Sequence, residues 1–191
     1  MSFHRLAAAA TLLVAGCATG EDPEPATHVD IAFFECQVQP ILDRSCAFVA
    51  CHGDPARPFF VYSMSKTRLA GDDLLGEVLT DKELCANFYR ARALAVVPAA
   101  ESQLITKPTT LDGLYSQYHE GNYLFEPDGP EVRCLTAWMA GALAPEELAP
   151  APEECQLPWR VDGAGRQPSC QPRRLDCEAA LRGPDLPESG S

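Results

Sequence analysis

The chain has 191 residues, with 15 Lys+Arg against 27 Asp+Glu, a formal charge of -12, nine cysteines and 17 prolines. This length suits one domain with appendages or at most two small ones, and the acidity excludes a nucleic-acid binder, which meets phosphates with a basic footprint. Nine cysteines are too many for an ordinary cytosolic enzyme of the Rossmann or TIM-barrel kind.

His4 and Arg5 precede an apolar run from Leu6 to Ala15. The run is too short to span a bilayer and fits an export signal over residues 1–16. The small residues before Cys17 resemble the lipobox of bacterial lipoproteins. That likeness implies that Cys17 becomes the lipidated first residue of the mature chain. Ala18, in place of an aspartate, implies the outer membrane, facing the periplasm or the cell surface. An ordinary signal peptide, with Cys17 incidental, is the alternative. Residues 17–29 are acidic and proline-rich and read as a flexible tether.

From residue 30 the pattern is mostly helical. Asp30 is placed to N-cap a helix carrying Ile31, Phe33, Phe34 and Val38. Pro40 is expected to interrupt it and open a second short helix. Residues 53–72 read as loop, with Phe59–Tyr62 a candidate strand. Thr80 and Glu83 have capping-box spacing before a helix expected to end near Val97. A short helix or turn over residues 102–106 is expected to stop at Pro108. Asp128 and Glu131 form a second capping-box pattern, with Pro130 in the first turn of a helix through Leu143. Eight of the prolines fall from Pro145 onward, so residues 145–191 are no regular helical domain. No internal repeat is evident.

Cys46-Ala-Phe-Val-Ala-Cys51-His52 is the most informative stretch. A Cys-x-x-Cys-His run marks covalent attachment of c-type haem: two thiols add to vinyl groups and the histidine ligates iron. Here four residues separate the thiols instead of two. On a regular helix that rotates them apart by roughly 140°, so the backbone between them must bulge or unwind for both to reach one porphyrin. A small-loop disulfide between Cys46 and Cys51 is the competing reading.

The wider context resembles a family of secreted bacterial cytochrome c-like proteins. Val38-x-Pro40-Ile-Leu42, Cys46-Ala and Cys51-His52-Gly53 look like that family's haem-binding opening. The likeness continues through Ser102-Gln-Leu104, Lys107-Pro108, His119-Glu-Gly121 and Leu135-Thr-Ala-Trp138. It implies an all-α, cytochrome c-like domain over residues 30–144, carrying one haem c through Cys46 and Cys51 with His52 as proximal iron ligand. Residues 145–191 have no counterpart in it.

Few groups are left for the distal side. His4 leaves with the signal and His28 lies in the tether, so His119 is the first candidate. Met64 is the second and would give a higher potential. Met139 is expected in the core. With neither His119 nor Met64 on the iron, the metal would have an open site, the mark of a haem sensor or a peroxidase-like protein.

Setting aside Cys17 and the haem pair leaves Cys36, Cys85 and Cys134 in the helical part and Cys155, Cys170 and Cys177 in the tail. If all six are oxidised, an odd number of bridges joins core to tail. A zinc site among the tail cysteines lacks a close Cys-x-x-Cys knuckle. No serine sits in a Gly-x-Ser-x-Gly elbow. Asp72–Asp73 reads as a helix start, Glu146–Glu147 as a solvated face and Trp159 as core. The expected function is electron transfer in the bacterial envelope with an unknown redox partner, by a carrier more than a catalyst. A haem-free, disulfide-rich lipoprotein is the principal alternative.

Overall fold

Asp30 starts the first helix as expected. Its Oδ1 accepts a hydrogen bond from the Phe33 amide at 2.6 Å. In the computed structural model, which describes residues 22–70, 76–110, 119–120, 123–142 and 152–182, the helix then runs on to residue 46. Cys17, the signal region, Asp72–Asp73 and Glu146–Glu147 lie outside the described residues.

The expected break at Pro40 does not occur. Short α segments, Ile31–Phe33 and Gln39–Ile41, alternate with π-helical turns, Phe34–Val38 and Leu42–Cys46. The Gln39 amide reaches back five residues to the Phe34 carbonyl. A widened turn of this kind absorbs the missing Pro40 donor, so the helix changes pitch instead of stopping.

Glu24–Pro25 pairs antiparallel with Val96–Val97, and the Ala26 amide donates to the Ala95 carbonyl at 2.9 Å. Packing therefore begins inside the expected tether. The same pairing explains why the second long helix, Asp81–Arg92, ends before Val97. At its start the capping box is complete: Thr80 Oγ1 accepts from the Glu83 amide, and Glu83 accepts from the Thr80 amide.

Phe59–Tyr62 forms no strand. Its polar backbone is satisfied without one: Val61 donates to the His52 carbonyl, and Tyr62 exchanges two bonds with the buried Asn87 side chain. Asn87 also donates to Gln39 Oε1, tying the loop to both long helices. Arg68 and the buried Glu83 carboxylate, 3.0 Å apart, fasten the far end of the loop. Burial penalises that carboxylate, but bonds from Arg68, Leu69 and Thr80 outweigh the penalty and hold its pKa below the ordinary value.

Gln103–Thr109 is helical through Pro108, ending one residue beyond the expected stop. The Pro108 carbonyl then accepts from Leu124 and Phe125. The next helix, Pro130–Met139, has Gly129 at its N-cap, with no side-chain cap. The Asp128–Glu131 box does not form, because the helix is capped one residue later, at Gly129; Glu131 instead accepts from Trp159 Nε1 at 2.7 Å. The helix also ends short of Leu143, where Gly141 takes a positive φ of 87° that a side chain would disfavour.

The core is a meeting of three helices. Phe34 packs edge-on to Phe88 at 5.5 Å and against Trp138 at 5.5 Å, and Trp138 Nε1 donates to the Asp30 carbonyl. Met139 is buried there, as expected. The described residues are mostly helical, with one two-stranded pairing.

The tail lies along this core, held by Cys36–Cys170, Cys85–Cys177 and Cys134–Cys155. All three bridges join core to tail, which satisfies the parity expectation. Polar contacts reinforce them. Arg173 bonds Glu35 at 2.7 Å and Asp81 at 2.8 Å, Arg160 donates to the Cys36 carbonyl, and Arg44 lies over the Trp159 ring.

Candidate functional site

The last π turn of the first helix closes with the Ala47 amide on the Leu42 carbonyl at 2.9 Å and delivers Leu42 and Cys46 to a cavity wall. The four-residue spacer then folds as consecutive turns. Cys51 and Gly53 both donate to the Phe48 carbonyl, and His52 donates to the Cys46 carbonyl. Leaving the helix in this way removes the angular separation that regular helix would impose, and Cys51 and His52 come round to the same cavity. Gly53 is required for the closure: a Cβ there would stand 2.5 Å from the Ala47 oxygen and 2.9 Å from the Phe48 oxygen. Phe48 and Val49, at the spacer's apex, are exposed, and Lys66 Nζ sits 4.5 Å above the Phe48 ring.

Cys46 and Cys51 are not bonded to each other. Cys46 keeps part of its surface open to the cavity. Burial nonetheless pushes its thiol up to about 12, the Cys51 neighbour adding to the rise and Lys66 opposing it. It is a protonated thiol at neutral pH.

His52 is oriented by a backbone oxygen. Its Nδ1 lies 2.6 Å from the Phe59 carbonyl. A carbonyl only accepts, so Nδ1 carries the hydrogen and Nε2 keeps a lone pair, the arrangement of an imidazole ready to ligate a metal. Burial holds its pKa below the ordinary histidine value, against the Phe59 bond that raises it; His119 and Arg57 lower it further. The ring is therefore neutral at pH 7. The His119 ring faces it nearly parallel, at 22°, with centroids 5.9 Å apart.

The cavity these groups line has a volume of about 420 Å³. Its walls are mainly apolar: Leu42, Leu94, Leu104, Phe125 and Leu135 come from five different stretches of chain. Arg57, Gln103, Lys107 and Glu120 supply its polar lining, and Arg57 pairs with Glu120 at 2.7 Å. Met64 does not line the cavity; it is 40% exposed on the 61–70 loop. Among the described residues, no group of three or more His, Cys, Asp or Glu side chains is arranged to hold a metal ion unaided.

Of the site residues expected from sequence, Cys46, Cys51, His52 and His119 come together and Met64 stands apart. Two functional features were not legible. The Phe59 oxygen that orients His52 is a backbone group and carries no residue signature. The Arg57–Glu120 pair joins residues far apart in sequence that no spacing rule connects.

No helix among the described residues is long and apolar enough to cross a membrane. No protein-family model matches the chain, and no curated protein and no solved structure matches it either.

Proposed function

We propose that the protein is a cytochrome c-like electron carrier of the bacterial envelope, holding one haem c in this cavity. One observation carries the reading: two unbonded thiols and two near-parallel imidazoles line the same, mainly apolar cavity.

The residues fit such a group. Cys46 and Cys51 would attach its two vinyl carbons as thioethers, and His52 would ligate the iron through Nε2. His119, which lines the same cavity 5.9 Å from His52 between ring centroids, would be the second ligand ahead of Met64, which does not line it. When bound, the group supplies one-electron cycling of iron. The chain's own residues do the rest. The Phe59 carbonyl keeps His52 in one tautomer and one orientation, and burial keeps it neutral and able to bind metal below the ordinary histidine pKa. Leu42, Leu104, Phe125 and Leu135 exclude water, which lowers the local dielectric and is a lever on potential. The haem-free alternative needs a Cys46–Cys51 bridge, and these sulfurs are unbonded while the other six described cysteines are paired.

Expression in a host competent for c-type maturation, followed by boiling in denaturant and haem staining, tests the reading. A stained band is expected; a colourless one refutes it. We propose further that Cys17 anchors the mature chain to the membrane by lipid, which the acyl mass increment of the exported protein checks.

A further inference from the structure

The ion pair at the cavity lining joins the two halves of the metal-binding arrangement. Arg57 follows His52 in the loop that also provides Phe59. Glu120 is the immediate neighbour of His119. Their side chains meet at 2.7 Å, and both line the cavity. Whatever separates Arg57 from Glu120 therefore tends to draw the two imidazoles apart. The pair is also exposed, with 38% of the Arg57 side chain and 65% of the Glu120 side chain open to water. Exposed pairs are weak and screened by salt, so this one biases an arrangement without locking it.

We infer that Arg57 and Glu120 are positioning residues that hold His119 opposite His52, and that loosening the pair lets a small neutral ligand take the place of the His119 imidazole. The inference rests on the haem-carrier reading and deepens it: the same cavity serves an electron carrier when the pair is closed and a ligand-binding centre when it opens.

The test uses the full mature haem-loaded chain, reduced, with carbon monoxide as the probe and the Soret spectrum as the readout. Arg57→Gln and Glu120→Gln are each expected to raise carbon monoxide affinity about two- to five-fold, the worth of one exposed pair. The charge-swapped double variant, Arg57→Glu with Glu120→Arg, should return toward the wild-type value. Wild-type affinity should also rise with added sodium chloride, whereas that of either single variant should not; this arm needs no mutant to fold. A Soret band with the same carbon monoxide affinity in all variants and at all salt concentrations overturns the inference while leaving the haem reading intact. Absence of any Soret band overturns both.

Discussion

The cavity and the tail use the same residue type in opposite ways. In the tail, three cysteines form three bridges that reach back to three different parts of the helical core. At the cavity, two cysteines only five positions apart stay unbonded. The tail lacks the apolar periodicity to bury itself, so covalent links and half-buried arginines hold it. The cavity wall is held by ordinary packing, which leaves its sulfurs available for chemistry. Cysteine count alone would not separate these roles; what each sulfur faces does.

Breaking each region separately sharpens that contrast. The largest effect expected is qualitative. Replacing Cys46 and Cys51 with Ser abolishes denaturant-resistant haem colour but leaves the three bridges intact, which thiol titration of the unfolded chain reads. Loss of bridges in that variant would show that the two sets are not independent.

Next in size is removal of a staple. Replacing Cys36 and Cys170 with Ser opens a link across 134 residues, at an expected cost of about 5 kcal/mol in the chain-entropy picture. The Cys134–Cys155 link spans 21 residues and should cost about 3 kcal/mol by the same reasoning. Urea unfolding of both variants compares them, and the reverse order would sink the loop-length argument.

Asp43 offers a smaller test on the cavity side. Burial raises its carboxyl to about 6, against hydrogen bonds from its neighbours, of which Gln39 Nε2 at 3.2 Å is one. A carboxyl raised in the folded state favours folding when protonated and loses that advantage as pH rises through its folded value. Asp43→Asn should therefore stabilise the chain by about 1–2 kcal/mol at pH 7.5, discounted for partial exposure. The gain should shrink below about pH 6 as the wild-type carboxyl protonates. A constant gain across that range would remove the titration as its cause.

The smallest effect belongs to His52. Its folded pKa lies below the ordinary value, so as pH falls the unfolded chain takes up its proton first. In the haem-free chain stability should therefore decline downward from about pH 6.5. Asp43 pulls the other way over part of that window, so the readout is the difference between wild type and His52→Gln. That difference should narrow on acidification, and parallel curves would show that burial of His52 does not govern its protonation.

Much of the local structure was legible because it depends on neighbours in sequence. Asp30 at its N-cap and the Thr80–Glu83 box follow from which side chain can reach which amide, and the helix opened by Pro130 follows from the proline's fixed φ. The failures have two kinds of cause. Pro40 did not end its helix because a π turn absorbed the lost donor, and Phe59–Tyr62 stayed out of a sheet because Asn87, from another helix, took its backbone bonds. Asp128 lost its box because the helix is capped at Gly129, and Trp159, from the tail, engages Glu131 instead. Asn87 and Trp159 are partners distant in the chain, whereas the turn at Pro40 and the cap at Gly129 are local.

The same division runs through the site. The amino-acid order alone nominated Cys46, Cys51, His52, His119 and Met64 as candidate binding and ligating groups, and the parity of the remaining cysteines, if all oxidised, required at least one bridge between core and tail. Which cysteines pair, that a wide spacer can turn both thiols to one cavity, and which oxygen orients His52 were decided only in three dimensions. Chemical capacity belongs to single side chains and can be read from them one at a time. Distance, burial and orientation belong to pairs brought together by the fold.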